Sequence, residues 1–253
     1  MSLLEYVTVG GIKTARLSRQ GLVQAIASEI RTRPEGSPPK LLFDANGHAL
    51  ALAIANRSYL DDMKKADIIH ADGEPLVIAS RLLTRSPIPE RSATTDLFHD
   101  VARSAHGDGV KFYLLGGSEE INRECAAKMQ QLYPSLEIAG RRDGYFSVDD
   151  EAAVCDEINA SGANVVWVGL GKPKEQAFCV RNKHRLNAAW LVTCGGCFNY
   201  VTGAYARAPE WMQKAGLEWV HRLLTEPRKL GWRYLTTTPV ALFLLCARTS
   251  SKV

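Results

Sequence analysis

Five short segments combine glycine with polar side chains, and each follows an apolar run of strand length. The segments are Asp44-Ala-Asn46-Gly-His48, His70-Ala-Asp72-Gly-Glu74, Gly116-Gly117-Ser118, Gly169-Leu-Gly171-Lys-Pro-Lys174-Glu175-Gln176 and Cys194-Gly195-Gly196-Cys197. Glycine at a strand-to-helix turn frees backbone N–H groups for a phosphate and allows its close approach. Several such turns in one chain therefore indicate a phosphorylated ligand, although each alone also fits an ordinary tight turn.

The carboxylate of Asp72 is the candidate general base. It follows a strand and lies among glycine turns, where a base can reach the proton of a bound hydroxyl. An aspartate before glycine also commonly caps the following helix, and this is the alternative for Asp72. His48 and His70 are candidates for acid–base chemistry or metal binding. Because no cluster of His, Cys, Asp and Glu has metal-ligand spacing, we expect packed or solvent-facing histidines and no metal.

Cationic side chains are concentrated near the end of the chain. The whole sequence carries +4, but from Tyr205 onward eight Lys/Arg residues face three acidic residues. The sequence lacks the Asp-x-Asp pair with which many sugar transferases hold a divalent ion, so a leaving diphosphate would need cationic side chains instead. Arg222, Arg228, Lys229 and Arg233 can supply them. The alternative for such a charge run is a solvated helix face.

Length and composition describe an ordinary globular protein. With 253 residues, 46% of them hydrophobic and 23% charged, the chain is long enough for one large α/β domain with a small appendage and shows no sign of disorder. Residues 1–11 lack the features of a secretory signal. The late apolar run Pro239–Ala247 is too short to span a bilayer. We therefore expect a cytoplasmic protein.

The six cysteines are expected to be free thiols in a reducing cytoplasm. Cys194 and Cys197 have the spacing of a redox pair, and a Cys-x-x-Cys redox protein is one alternative function. A reactive thiolate of that kind depends on a helix N-terminus to lower its pKa. The segment Phe198–Gly203 is a poor helix, which disfavours redox chemistry.

The apolar runs alternate with helical patterns. A strand-like segment, Tyr6–Leu17, precedes a helix over Arg19–Arg31 that Ser18 can cap. Further helices are predicted over Ser118–Tyr133 and Asp149–Ala160. This alternation predicts an α/β fold, a Rossmann-like parallel sheet flanked by helices. The predicted strands of the sheet are Lys40–Asp44, Ala66–Ala71, Val110–Leu115, Leu136–Ala139, Asn164–Gly169 and Ala188–Thr193.

The pattern changes after Gly203. The remainder has no convincing strand and holds three of the five tryptophans, at positions 211, 219 and 232. We predict two or three helices, with Pro227 opening one and Pro239 breaking the next. The predicted division is an α/β catalytic domain over residues 1–204 and a small basic helical appendage over residues 205–253.

Eight segments together resemble the WecG/TagA/CpsF family, glycosyltransferase family 26, across nearly the whole chain. Each is short, but their order and spacing are highly specific. They are Ala66–Gly73, Pro89–Arg91 with Asp96, Phe112–Gly117, Asp143–Phe146, Val168–Lys174, Gly195-Gly196 with Phe198, Arg207–Trp211 and Gly216–Arg228.

The resemblance implies an inverting transfer from a UDP-sugar to an undecaprenyl-diphosphate-linked sugar during the synthesis of cell-surface polysaccharides. We expect no cofactor, no metal and no nucleic-acid partner, and the resemblance makes a homo-oligomer plausible. The C-terminal appendage would help the protein to engage the cytoplasmic face of the membrane peripherally. N-acetylmannosamine, its uronic acid and glucose all remain candidate donor sugars.

The resemblance also implies roles for particular residues. Asp72 falls at the position of the family's proposed base, and Asn46 at that of a polar contact to acceptor or donor. The arginines and lysine of the appendage match positions proposed to reach the diphosphate. The full set of expected substrate-binding residues is Asp44, Asn46, Arg91, Gly116, Gly117, Tyr145, Gly169, Gly171, Lys174, Glu175, Gln176, Gly195, Gly196, Arg207, Arg222, Arg228, Lys229 and Arg233.

The sequence departs from the family pattern at several of these positions. Asp44 stands where members often carry threonine. Glu175 and Gln176 reverse the usual Gln-Glu order, which leaves open which of the two contacts ligand. The stretch Ser92–Thr95 replaces one that commonly includes glycine. Cys194 and Cys197 replace other small residues, which disfavours redox chemistry further.

Two further classes of protein are weaker alternatives. Another nucleotide- or dinucleotide-binding α/β enzyme, such as a dehydrogenase, would carry a complete Gly-x-Gly-x-x-Gly with an acidic residue at the end of the next strand, and the two cannot both be placed in this sequence. A nucleic-acid-binding module would carry lysine-rich loops over one face, whereas here arginine alternates with tryptophan and leucine. That pattern favours a helix at a lipid interface or one packed over the active site.

Overall fold

A six-stranded parallel sheet forms the centre of the computed structural model, which describes residues 4–214 and 217–251. The six predicted strands are all present, so the α/β prediction is confirmed. They are β3 (Lys40–Ala45), β4 (Ile68–Ala71), β5 (Lys111–Gly116), β6 (Glu137–Arg142), β7 (Val165–Gly169) and β8 (Trp190–Thr193). Their order across the sheet is β4-β3-β8-β7-β5-β6, with every pairing parallel.

Helices cover both faces of this sheet. Strand side chains alternate between the faces: Leu41 and Phe43 enter one hydrophobic cluster and Leu42 enters the other. The first face carries α2 (Gly47–Ala55), α3 (Arg57–Met63), α4 (Glu74–Leu83), α7 (Glu151–Ser161) and α8 (Lys174–Asn182). The second face carries α1 (Arg19–Thr32), α5 (Thr94–Asp108), α6 (Glu119–Leu132) and α9 (Cys197–Thr202).

Polar side chains begin several of these helices. Ser18 Oγ accepts the N–H of Gly21 at 3.1 Å, as the predicted cap of α1 requires. Asn46 Oδ1 accepts the N–H of Ala49 at 3.1 Å and caps α2. This bond fixes the orientation of the Asn46 amide, so its NH2 group points away from the helix.

The strand-like segment at the start of the chain is an antiparallel hairpin. It consists of β1 (Tyr6–Val9) and β2 (Ile12–Ala15). The chain returns to it at the other end, where Thr8 and Ser250 exchange backbone hydrogen bonds of 3.2 and 2.9 Å.

The C-terminal segment, residues 205–253, contains three helices in its described part, namely α10 (Glu210–Lys214), α11 (Glu218–Thr225) and α12 (Pro227–Ala247). Pro227 opens α12 as predicted, but the predicted break at Pro239 is wrong because α12 continues through it. A proline inside a helix costs about 3 kcal/mol. Leu244 and Leu245 are buried against the core, and each such burial contributes about 1.5–3 kcal/mol. Packing therefore offsets the loss.

No helix in the described ranges is long and apolar enough to cross a membrane.

The connections between strands change direction at the middle of the sheet. From β5 the chain passes through α6 to β6, toward one edge, whereas from β7 it passes through α8 to β8, toward the other. The neighbouring strands β5 and β7 therefore end at a topological switch point, where open α/β sheets bind their ligands. A Cβ on Gly116 would lie 2.3 Å from the carbonyl oxygen of Gly169, so Gly116 must be glycine there.

Candidate active site

The carboxyl ends of β3 and β4 bring Asp44, Asn46 and Asp72 together. The two strands pair in register, with Asp44 opposite His70. The NH2 group of Asn46 donates to Asp72 Oδ2 at 3.1 Å and to Asp44 Oδ2 at 3.4 Å. One amide therefore bridges two carboxylates that lie 28 positions apart in the chain.

Asp72 is held as an anion. Its Oδ1 accepts two bonds from Thr94, one from the backbone N–H at 2.8 Å and one from the hydroxyl at 3.2 Å. Burial alone would raise the pKa of Asp72, but the Arg91 charge and the Thr94 N–H, assisted by Lys172 and Asn46, outweigh it and lower the pKa to about 2. Asp72 is therefore ionised at neutral pH.

The alternative role of Asp72 as the cap of the next helix does not match this geometry. Gly73 occupies the N-cap position of α4, with no side-chain cap bond. Asp72 instead binds the N–H of Thr94, the first residue of α5. Negative charge at a helix N-terminus is favourable, which adds to the stabilisation of the carboxylate. Thr94 lies in the stretch that departs from the family pattern, and sequence reasoning did not select it.

Lys172 is a second residue that the sequence analysis missed. Its ammonium lies 2.5 Å from Asp44 Oδ2 and 3.6 Å from Glu175 Oε1, and its side chain is 9% exposed. Asp44 also accepts the Thr193 hydroxyl at 3.1 Å. Lys174, selected from the same segment, is exposed instead. Asp44 and Glu175, two departures from the family pattern, thus meet at one lysine.

Glu175 and Gln176 both point into the protein and are fully buried. Glu175 Oε2 accepts the N–H of Gly171 and the N–H of Gly195, each at 3.0 Å. Gln176 Nε2 donates to Glu175 Oε1 at 3.3 Å. Burial and the charge of Asp44 raise the pKa of Glu175 to about 7, against the opposing effect of Lys172.

This raised pKa makes stability depend on pH. Glu175 titrates near 7 in the folded state and at its ordinary 4.5 when unfolded, so between these values the folded state binds more protons. Its contribution is therefore complete below about pH 4.5 and lost as the pH rises through 7. We expect Glu175→Gln to reduce the fall in unfolding free energy between pH 5 and about 8, as measured by urea denaturation. A variant with the wild-type slope would contradict this.

The two histidines near the site are neutral. Ser92 Oγ donates to the carbonyl of Ala71, so it accepts from His70 Nδ1 at 2.9 Å, and the ring proton lies on Nδ1. Burial lowers the pKa of His70. Burial, Arg233 and Lys172 lower the pKa of His48 to about 4. Both rings are therefore uncharged at neutral pH, and a neutral imidazole is a poor general acid.

The remaining glycines lie at the ends of β5 and β7 or in the turns after β5, β7 and β8, at the carboxyl edge of the sheet. The N–H of Gly117 donates to the carbonyl of Gly169 at 3.3 Å, and a Cβ on Gly169 would lie 3.0 Å from the carbonyl oxygen of Gly195. Gly196 precedes α9 and lies against the ring of Tyr205. Tyr145, by contrast, is 82% exposed beyond β6.

Ion pairs connect the C-terminal segment to the sheet domain. Arg91 Nε donates to the carbonyl of Asp72 at 2.7 Å, and its guanidinium pairs with Glu218 of α11 at 2.7 Å. Arg207 pairs with Asp96, which also binds Arg19 at 2.9 Å. Arg91 thus joins the candidate base to α11, and sequence reasoning had not selected Glu218.

Arg222 lies over two aromatic rings that follow the turn after β8. Its guanidinium is 5.4 Å from the ring centroid of Tyr200 and 6.0 Å from that of Tyr205. Such cation–π contacts hold the charge in place without neutralising it. Arg233 lies near His48 and over Tyr234, at 5.9 Å from the ring centroid, whereas Arg228 is exposed. The side chain of Lys229 lies outside the described residues.

The cysteine pair does not have the properties of a redox site. Cys194 and Cys197 are buried free thiols. Burial raises the pKa of both, which opposes thiolate formation. The segment judged a poor helix does form a short one, α9, which ends at Gly203 with φ +84°. In the described part of the chain, no group of three or more His, Cys, Asp and Glu residues could hold a metal ion.

An ionised carboxylate, glycine turns and arginines at the carboxyl edge of a parallel sheet are the features of an α/β enzyme that acts on a phosphate-bearing substrate. The protein-family model described as "Glycosyl transferase WecG/TagA/CpsF family" matches residues 7–252. The chain belongs to this family and is a glycosyltransferase.

Three relatives carry the same name, N-acetylglucosaminyldiphosphoundecaprenol N-acetyl-beta-D-mannosaminyltransferase. The one from Bacillus subtilis (strain 168) is 31% identical, over 74% of this chain and 71% of the relative. The one from Bacillus spizizenii (strain ATCC 23059 / NRRL B-14472 / W23) is 33% identical, over 79% and 77%. The one from Staphylococcus aureus (strain MRSA252) is 27% identical, over 83% and 80%.

Proposed function

We propose that the protein transfers a hexose or N-acetylhexosamine from a UDP-sugar to an undecaprenyl-diphosphate-linked sugar, with inversion, in the synthesis of a cell-surface polysaccharide. The observation that carries this proposal is the ionised Asp72, held by Thr94 and Asn46 at the carboxyl end of β4. The names of the three relatives, which specify transfer to a diphosphoundecaprenol-linked sugar, support the acceptor class.

The proposed base has one oxygen available for the acceptor. Oδ1 of Asp72 accepts two bonds from Thr94, whereas Oδ2 accepts one from Asn46 among the described contacts. Oδ2 therefore retains a lone pair for the acceptor hydroxyl. As the hydroxyl oxygen attacks the anomeric carbon, its proton passes to Oδ2, and the bond between that carbon and the UDP oxygen breaks on the opposite face.

Cationic side chains would stabilise the departing diphosphate. Fixed positive groups placed where negative charge develops lower the barrier without reorganisation. Arg222 and Arg233 are held near aromatic rings at the edge that contains Asp72, and Arg222 has no acidic partner among its described contacts. Arg207 has its charge paired with Asp96, so we assign it a smaller part in this step.

A panel of donors tests the proposed function. UDP release would be measured with UDP-glucose, UDP-N-acetylglucosamine, UDP-N-acetylmannosamine and its uronic acid, with and without a polyprenyl-diphosphate-linked N-acetylglucosamine. We expect acceptor-dependent release with one donor. Release by none of them from a folded protein that also fails to bind UDP would refute the proposal.

We also propose that the C-terminal segment binds the protein peripherally to the cytoplasmic face of the membrane. Apolar side chains that alternate with arginines are exposed there, as expected for an interfacial helix. Five are more than 60% exposed: Trp211, Leu224, Trp232, Leu235 and Phe243. Deletion from Arg207 onward would also uncover the core beneath Leu244 and Leu245, so surface substitutions test this more cleanly.

Substituting the exposed leucines should weaken membrane binding. Each of Leu224→Asp and Leu235→Asp should lower partition onto anionic vesicles by roughly tenfold, because each removes apolar area that would enter the interface. Flotation with phosphatidylglycerol vesicles measures this. Leu132→Asp is the matched control, since Leu132 is 59% exposed at the end of α6, outside the C-terminal segment. Equal partition of all three variants would argue against the proposed membrane surface.

A further inference from the structure

One buried carboxylate joins two glycine turns at the carboxyl edge of the sheet. Glu175 Oε2 accepts the N–H of Gly171, after β7, and the N–H of Gly195, after β8. Both glycines have positive φ, +76° and +51°, so both turns have conformations that few other residues adopt. Glu175 therefore connects two turns that belong to different, neighbouring strands.

The carboxylate is itself fixed on its other side. Lys172 lies 3.6 Å from Glu175 Oε1 and 2.5 Å from Asp44, and Gln176 donates to the same Oε1. A buried ion pair is a weak source of stability, because the cost of removing both charges from water is close to their attraction. Stability alone therefore does not explain why charged side chains are buried here. A requirement for fixed geometry does explain it.

The connected turns lie where the donor would bind. A Cβ on Gly169 would lie 3.0 Å from the carbonyl oxygen of Gly195, so the two turns are close together at the carboxyl edge of the sheet. This edge contains the switch point between β5 and β7, where open α/β sheets bind their ligands. A change in the spacing of the two turns would therefore change the surface that a ligand meets there. Asp72 lies on the other side of Asn46 and has no hydrogen bond to Glu175.

We propose that Glu175 is a positioning residue for the donor diphosphate: it sets the spacing of the turns after β7 and β8, with Lys172 and Asp44 holding its carboxylate in place. The inference rests on the proposed function, because it assumes a nucleotide diphosphate bound at this edge of the sheet. It assigns Glu175 a part in donor binding and none in proton transfer. Gln176 contributes through Glu175.

Binding of UDP to the full-length protein tests this assignment. Glu175→Met removes the acceptor for both N–H groups and should weaken UDP binding by about tenfold in calorimetry. At saturating donor, kcat should stay within about twofold, since the contacts of Asp72 are unchanged. Glu175→Gln retains an oxygen that can accept both bonds, so it should recover most of the affinity.

Glu151→Met is the matched control. Glu151 is also a buried glutamate with an arginine partner, Arg181, but it lies at the start of α7, away from the glycine turns. This variant should lose thermal stability and keep wild-type UDP affinity. Wild-type affinity in Glu175→Met, or a loss of kcat without a change in affinity, would overturn the assignment.

A further variant keeps the inference testable if Glu175→Met does not fold. Glu175→Asp keeps the charge beside Lys172 but is one methylene too short to reach both N–H groups, so weaker UDP binding is expected. Wild-type affinity in that variant would overturn the assignment. A wild-type protein that binds no UDP would instead refute the proposed function, and this inference with it.

Discussion

Asp72→Asn should lower kcat by about 10²–10⁴-fold and leave the affinity for UDP close to wild type. The amide has no lone pair of comparable basicity for the acceptor proton, whereas the glycine turns and arginines remain in place. The measurement is acceptor-dependent UDP release at saturating donor, together with UDP binding by calorimetry. Unchanged turnover in this variant would refute the assignment of Asp72 as the base.

Asp67→Asn is the matched control, because Asp67 precedes the same strand that Asp72 follows. Asp67 accepts the N–H of Leu41 at 2.8 Å and pairs with Lys183 at 3.0 Å. The substitution therefore removes comparable polar contacts, but at the amino end of β4, whereas Asp72 lies at its carboxyl end. Turnover of Asp67→Asn should stay close to wild type. Equal losses in both variants would indicate general damage to β4 instead of the loss of a base.

The low pKa of Asp72 predicts how the rate of the same reaction depends on pH. Because its pKa is about 2, Asp72 is ionised throughout the neutral range and stays so as the medium becomes mildly acidic. Protonation of Asp72 should therefore lower kcat/KM only as the pH approaches 2. A loss of activity near pH 7 would have to come from another group, and Glu175 is the buried acid that titrates there.

The position of the candidate site at one edge of the sheet could be predicted from the sequence, because the sheet is parallel. The carboxyl ends of parallel strands share one edge, so residues that follow different strands meet there. Asp44, Asn46 and Asp72 could be placed together on this ground. The contacts of Asp72 with Thr94 could not, since the path of the loop between α4 and α5 depends on packing.

That the side chain of Lys172 points into the protein could not be predicted from the sequence either. Lys172 and Lys174 lie two positions apart in the same segment, and both are plausible partners of a phosphate on composition alone. The start of α8 at Lys174 decides between them, because the helix turns Lys174 to solvent while Lys172 remains in the turn above Asp44.

In the C-terminal segment, too, contacts between residues that are distant in the chain could not be predicted from the sequence. Its basic character and its helices were predicted from composition and from Pro227. Its contacts with Tyr200, Tyr205 and Arg91 join residues that are distant in the sequence or separated by a turn. The continuation of α12 through Pro239 depends in the same way on the core that Leu244 and Leu245 fill. No local sequence pattern predicts such packing.

Arg222→Ala should lower kcat/KM by about 10²–10³-fold, the effect expected when one fixed donor to a developing anion is lost. Arg222→Lys should recover only part of this, because an ammonium lacks the planar group that stacks on Tyr200 and Tyr205. Arg57→Ala is the control for the loss of an arginine, since Arg57 is 80% exposed on α3. That variant should retain wild-type kcat/KM.

Substitutions at Tyr200 distinguish the effect of the Arg222 charge from the effect of its position. If their rings position the guanidinium, Tyr200→Phe keeps the ring and should keep most of the activity, whereas Tyr200→Leu removes the aromatic face and should lose about as much as Arg222→Lys. In the background of Arg222→Ala, the change from Tyr200 to leucine should have little further effect, because both substitutions disrupt one interaction. Additive losses in the double variant would show that Tyr200 acts independently of Arg222, and the cationic stabilisation of the diphosphate would then have to be assigned without the aromatic contact.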